Sequence, residues 1–155
     1  MNTTNMTEMS SNLIGDSFDL RQRMAICFAA GVIGAAAVIA FSYILFWSGI
    51  SESLGIKAPL PLKSPDIYRP LFWGGLWGIL FGVFVKPTWD WLYLFGFLFV
   101  LAPLAALFLF FLPVSGAGFF GLKMGPKFTL YLLLVNSPFG IVTALVARAI
   151  IGRNP

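Results

Sequence analysis

Acid–base and metal chemistry need carboxylates, imidazoles or thiols held close together, and this chain is poor in all three. Its acidic residues are Glu8, Asp16, Asp19, Glu52, Asp66 and Asp90; it has no histidine and a single cysteine, Cys27. None of the carboxylates lies in the middle of an apolar run, where proton-coupled pumps and cation carriers keep theirs. A Ser-His-Asp arrangement cannot be built without histidine, and Cys/His metal sites lack their ligands. One cysteine rules out a disulfide within the chain. The expectation is a protein that is not an enzyme and uses no cofactor or metal. Cys27 reads as a small buried apolar side chain.

Two further stretches invite a chemical reading. Gly116-Ala117-Gly118-Phe119-Phe120-Gly121 matches G-x-G-x-x-G literally. A dinucleotide site also needs a strand before the glycines and an acidic residue about 20 positions after them. Here an apolar helix is expected before, and the residues near 140 are apolar, so a glycine-rich turn or re-entrant loop is expected and no nucleotide. The second stretch is Asn136-Ser137-Pro138, set within an apolar run. Pro138 has no N–H to donate and leaves a carbonyl about one turn back unpaired. Asn136 and Ser137 are costly in lipid unless they find partners, which points to hydrogen bonds across helices. The stretch is either an interhelical clamp at a kink or a small polar pocket or pathway.

The elements that must position these residues are apolar helices. The chain is 59% hydrophobic and 10% charged, against about 25% charged in soluble domains. Several runs approach the ~20 residues that cross a bilayer. Helices are expected near 24–50, 71–85, 89–112 and 128–151, forming one four-helix transmembrane domain over 24–151. Residues 1–23 read as a polar tail, partly disordered or interfacial, and 152–155 as a short C-terminal tail. Pro103 and Pro138 are expected kinks. Trp47, Trp89, Trp91 and Tyr93 suit the aromatic belt at a membrane interface.

The organising stretch is Arg69-Pro70-Leu71-Phe72-Trp73-Gly74-Gly75-Leu76-Trp77-Gly78-Ile79-Leu80-Phe81-Gly82. Gly74, Gly78 and Gly82 recur every fourth residue and make one bare stripe on a helix. In lipid such a stripe lets another helix approach closely. Gly140 and Ala144 repeat the pattern. Indeed Trp77-Gly78-Ile79-Leu80-Phe81-Gly82 aligns with Phe139-Gly140-Ile141-Val142-Thr143-Ala144 at an offset of 62. Leu54-Gly55-Ile56-Lys57 likewise aligns with Phe120-Gly121-Leu122-Lys123, each followed by a proline, Pro59 and Pro126. The expected architecture is therefore all-α, with four transmembrane helices arranged as two tandem parallel helical hairpins. Two helices per unit bring both units in from the same side.

The net charge is +4, without the dense basic block of a nucleic-acid face. With the N-terminus inside, Arg21, Arg23, Lys86, Arg148 and Arg153 are cytoplasmic. Lys57, Lys63, Arg69, Lys123 and Lys127 are then outside. The count is level, and Arg21 and Arg23 before the first helix favour cytoplasmic termini.

Tyr68-x-Pro70 leading into Trp73-Gly74-Gly75-Leu76-Trp77-Gly78, the 116–121 glycine loop, and Asn136-x-x-Phe139-Gly140 resemble a family of small uncharacterised four-helix bacterial inner-membrane proteins. The likeness spans about residues 54–151. That family often has tryptophan where this chain has Phe139. The resemblance implies a bacterial inner-membrane location and a four-helix fold, and no activity. The expected function is assembly through helix–helix contacts, as a homo-oligomer or as an accessory subunit of a membrane complex. The alternatives are a small transporter or channel with a polar path near Asn136, and a lipid-binding module. The expected partners are the lipid bilayer and this chain itself or other membrane subunits.

Overall fold

The computed structural model describes residues 20–84 and 92–151, and every regular element among them is helical. Residues 1–19 of the expected 1–23 tail, the tail at 152–155, the turn at Lys86-Pro87-Thr88 and the anchors Trp89 and Trp91 lie outside the described residues.

Helix α1, Leu20–Trp47, is longer at its start than the 24–50 expected, taking in Arg21 and Arg23. It stops at Trp47 because Ser48 and Gly49 cap it. The Ser48 hydroxyl donates to the Leu45 carbonyl (3.1 Å), and Gly49 takes a left-handed φ of +78°, which glycine adopts without strain. A single turn, α2 (Ile50–Ser53), follows. The proline-rich connection then leads to α3, Tyr68–Phe84. Pro70 was expected to precede this helix; it sits instead in the first turn, where its missing N–H would have had no helical partner anyway. At about 1.5 Å per residue the 17 residues of α3 span ~25 Å, short of the ~30 Å hydrocarbon core.

The next stretch, Leu92–Val114, is one apolar column made of several pieces. Helix α4 (Leu92–Phe99) gives way at Val100 to α5 (Leu101–Ala106), then to a π-helical segment, Leu107–Phe111, and a last turn, α6 (Leu112–Val114). The interruption at Val100 falls three residues before Pro103, whose ring and missing donor disturb the preceding turn. After a 3₁₀ turn, Phe119–Met124, come α7 (Pro126–Asn136) and α8 (Pro138–Ile151), interrupted at Ser137. Three of these stretches, Leu20–Trp47, Leu92–Val114 and Pro126–Ile150, are long and apolar enough to cross a membrane.

Helix α1 lies in the middle. It packs along α3 on one side and along α8 on the other, and α8 in turn packs on α4. Its buried residues Cys27, Ala30, Gly31, Gly34, Ala35, Val38, Ile39, Ser42 and Leu45 recur every three or four positions around the faces it gives to its neighbours. The two long loops meet at one end of the bundle. The Lys127 ammonium donates to the Ser53 carbonyl (3.3 Å), and Leu54, Ile56, Leu60, Ala117 and Phe128 join one apolar cluster with Leu45, Leu112 and Tyr131. Ser42 ties the first loop down, accepting from the Leu60 N–H (3.1 Å) and donating to the Ile39 carbonyl (2.6 Å).

Candidate functional site

Small residues decide how closely the helices cross. A methyl group placed on Gly78 would run into the Cys27 carbonyl oxygen and come within 3.0 Å of the Gly31 Cα. One on Gly74 would meet the Ala35 methyl at 2.5 Å, and one on Gly82 the Cys27 Cβ at 2.9 Å. The stripe on α3 thus lies backbone to backbone against α1 of its own chain. Cys27 is fully buried in that seam. The same device joins α4 to α8. A methyl on Gly140 would strike the Gly96 carbonyl, and one on Gly96 would come within 2.7 Å of the Ala144 methyl. A third crossing brings Gly34 of α1 against Phe139 and Thr143 of α8, with Thr143 donating to the Phe139 carbonyl (2.7 Å).

The seam between α3 and the Leu92–Val114 column has no such pair. Aromatic rings fill it: Trp73 lies edge-on to Phe111 (5.1 Å between centroids), Trp77 to Phe99 (6.3 Å), and Phe81 to Phe99 (5.2 Å). Rings of this size hold backbones apart where glycines would let them touch. Where they stop short, a cavity of about 290 Å³ remains. Ala35 and Val38 of α1 form its back, and Trp73 and Trp77 of α3 one wall. Val100, Pro103, Leu104, Leu107 and Phe111 form the other wall. Phe139 and Asn136 close it from α8 and α7, and Arg69 and Pro70 stand at the loop end. Arg69, Trp73 and Phe111 are exposed, so the cavity is open along the side of the bundle.

Asn136 and Ser137 were expected to pair across helices; the structure corrects this. The Asn136 amide donates to the Leu132 carbonyl (2.8 Å), and the Ser137 hydroxyl to the Leu134 carbonyl (2.8 Å), both within their own helix. The Leu134 carbonyl is the one Pro138 leaves without its helical donor, and the Ser137 N–H also reaches it (3.2 Å). The carbonyl freed by the proline is therefore satisfied locally, by Ser137 through both its hydroxyl and its N–H. One Asn136 N–H and its side-chain oxygen are left over, since an amide group has two donors and an acceptor with two lone pairs. Asn136 is half-buried and lines the cavity.

The 116–121 glycines form a turn in which several N–H donors are used within the turn and the preceding helix end. The N–H groups of Gly116, Ala117 and Gly121 go to Pro113, Leu112 and Gly118, and that of Lys123 to Ala117. A phosphate cradle needs such N–H groups free. Phe120 holds φ +56°, kept there by its ring against Phe108 (5.5 Å) and by the Thr129 hydroxyl donating to its carbonyl (2.6 Å). Of the described anchors, Trp47 projects from the end of α1, 79% exposed. Tyr93 lies under the Arg148 guanidinium, 5.1 Å from the ring centroid.

Gly96 and Arg69 carry more of this arrangement than their sequence setting suggested. Gly96 is a lone glycine in Leu92–Phe99, with no fourth-residue partner to mark it. Arg69 opens the organising stretch and otherwise counts as one loop charge; its place at the cavity has no mark in the sequence. No family model, curated protein or solved structure matches the chain.

Proposed function

We propose that this chain is a non-enzymatic, multi-pass protein of a bacterial inner membrane that holds a membrane-borne molecule in the cleft between two parallel hairpins. In this reading α3 is the fourth span, and both termini are cytoplasmic. Its shortness is met by local thinning of the bilayer or by its flanking residues reaching the interface. The repeat is supported by like construction. Ser48-Gly49 and Ser115-Gly116 end their helices with the same serine-to-carbonyl bond and the same positive-φ glycine. Gly78 and Gly140, aligned in sequence, both press on the first helix of their own hairpin.

The observation that carries the function is the cavity. It lies at the junction of the hairpins, is walled mainly by aromatic and aliphatic side chains, and is lined also by Asn136, whose amide keeps spare hydrogen-bonding capacity, and by Arg69. Ligand sites are mostly apolar concavities of ~300–1,000 Å³ with a few placed polar groups. The cavity stands at the lower end of that range, enough for one chain or ring system. Assembly through the Gly74–Gly82 stripe has less support, because α1 already covers it. A transport reading draws on a different observation: the break at Ser137 and the π-helical segment Leu107–Phe111 both lie by the cavity. Interrupted helices at a repeat junction are where carriers place their substrates.

The test is native mass spectrometry of the protein released from gentle detergent. The wild type should carry a bound small molecule, and Val38→Phe with Leu107→Phe, which fills the cavity, should lose it while its helix content is unchanged. A wild type free of adducts, or a filled variant that keeps them, would count against the cleft. Flux into vesicles that disappears with Asn136→Leu would favour the transport reading over simple binding.

A further inference from the structure

We infer that the occupant of the cleft is an anionic phospholipid, its phosphate drawn to Arg69 and one acyl chain lying against Trp73 and Trp77. The inference rests on the cleft being a binding site. Three features of the molecule bear on it. The first is the loop end of the bundle, where Lys57, Lys63, Arg69, Lys123 and Lys127 are all exposed, against Glu52 and Asp66 among the described residues. The contact of the two loops gathers these charges at one end. The second is the position of Arg69. It is the basic residue among those lining the cavity, and it stands in the first turn of α3. Its planar guanidinium can take two phosphate oxygens at once, which a lysine cannot. The third is polarity along the cavity. Arg69 is at its mouth, and the walls beyond are apolar except for Asn136. That gradient matches an amphiphile with its head at the interface and its tail inward. The side opening between α3 and the Leu107–Phe111 segment gives a lipid in the bilayer direct access, with no passage through water.

Tryptophan fluorescence in nanodiscs tests this, because Trp73 and Trp77 line the cavity. A background of Trp47→Phe, Trp89→Phe and Trp91→Phe leaves those two as the only indoles. The protein is placed in phosphatidylcholine nanodiscs containing a rising fraction of chain-brominated phosphatidylglycerol or chain-brominated phosphatidylcholine. Brominated phosphatidylglycerol should quench at about five-fold lower mole fraction, the effect of one basic residue at an anionic surface. Arg69→Gln should bring the two lipids together, and Arg69→Lys should restore part of the gap. The Val38→Phe, Leu107→Phe variant should flatten quenching by both lipids to the level of the bulk bilayer. Equal quenching by both lipids that the filled variant still removes would overturn the anionic preference and leave the cleft standing. Quenching that the filled variant does not change would overturn both.

Discussion

Replacing Gly78 with alanine is the sharpest probe of how this bundle is held. The added methyl has no rotamer to choose: its position follows from the backbone. It would collide with the Cys27 carbonyl oxygen and sit 3.0 Å from the Gly31 Cα, both main-chain atoms of α1. Carbon atoms in contact prefer about 3.5–4.0 Å and the carbonyl collision is the closer of the two, so α1 and α3 must separate or tilt by ~1 Å or more. Overpacking of this kind costs ~1–3 kcal/mol, and alanine returns ~0.5–1 kcal/mol of helix propensity over glycine. The net loss should be about 0.5–2 kcal/mol, or roughly two- to thirty-fold in the folding equilibrium. Gly75→Ala is the control. Three residues earlier on α3, its methyl would first meet the Phe28 ring, a side chain 38% exposed and able to swing outward. Denaturant titration in mixed micelles, followed by tryptophan fluorescence, measures both. If Gly78→Ala is as stable as the wild type, or no worse than Gly75→Ala, the backbone-to-backbone seam is not there.

Further outcomes follow from the same geometry. Gly78→Leu should lower stability without changing the molar mass measured by light scattering, because the stripe faces α1 of its own chain; a change of mass at unchanged stability would assign the stripe to another copy. Gly140→Ala should cost as much as Gly78→Ala in the same titration, since it meets the Gly96 carbonyl; a neutral result would separate the two hairpins in construction. Ser137→Ala should cost under about 1 kcal/mol, because the Leu134 carbonyl keeps the Ser137 N–H as a donor, and a larger loss would mean the hydroxyl has a partner beyond its own helix. Cysteines placed at Ser64 and Ser115 in a Cys27→Ser background should both react with a membrane-impermeant maleimide on intact cells, in keeping with loops outside and termini inside. Reaction of just one of them would break the parallel arrangement, and reaction of both only after lysis would reverse the orientation.

The chain's composition and spacing by themselves determined the kind of molecule this is. Long uncharged runs can satisfy their backbone polar groups in lipid only as helices, so Leu20–Trp47 and Pro126–Ile150 could be read within a few residues. The fourth-residue glycines announced a close crossing for the same local reason: a helix places positions four apart on one side. Spacing does not name the partner, because a bare stripe accepts any small-faced helix; that α1 of the same chain fills it depends on Gly31 and Ala35 arriving opposite Gly74 and Gly78. Nor could the fate of Asn136 and Ser137 be read in advance. Polar groups beside a proline can bond outward or back to their own helix, and the folded geometry chose the latter. The cavity is a tertiary fact altogether. It exists because glycines draw three seams tight, in pairs at two of them and as Gly34 against Phe139 and Thr143 at the third, while Trp73, Trp77, Phe99 and Phe111 hold the fourth apart, and the volume left between helices is a property of all of them at once.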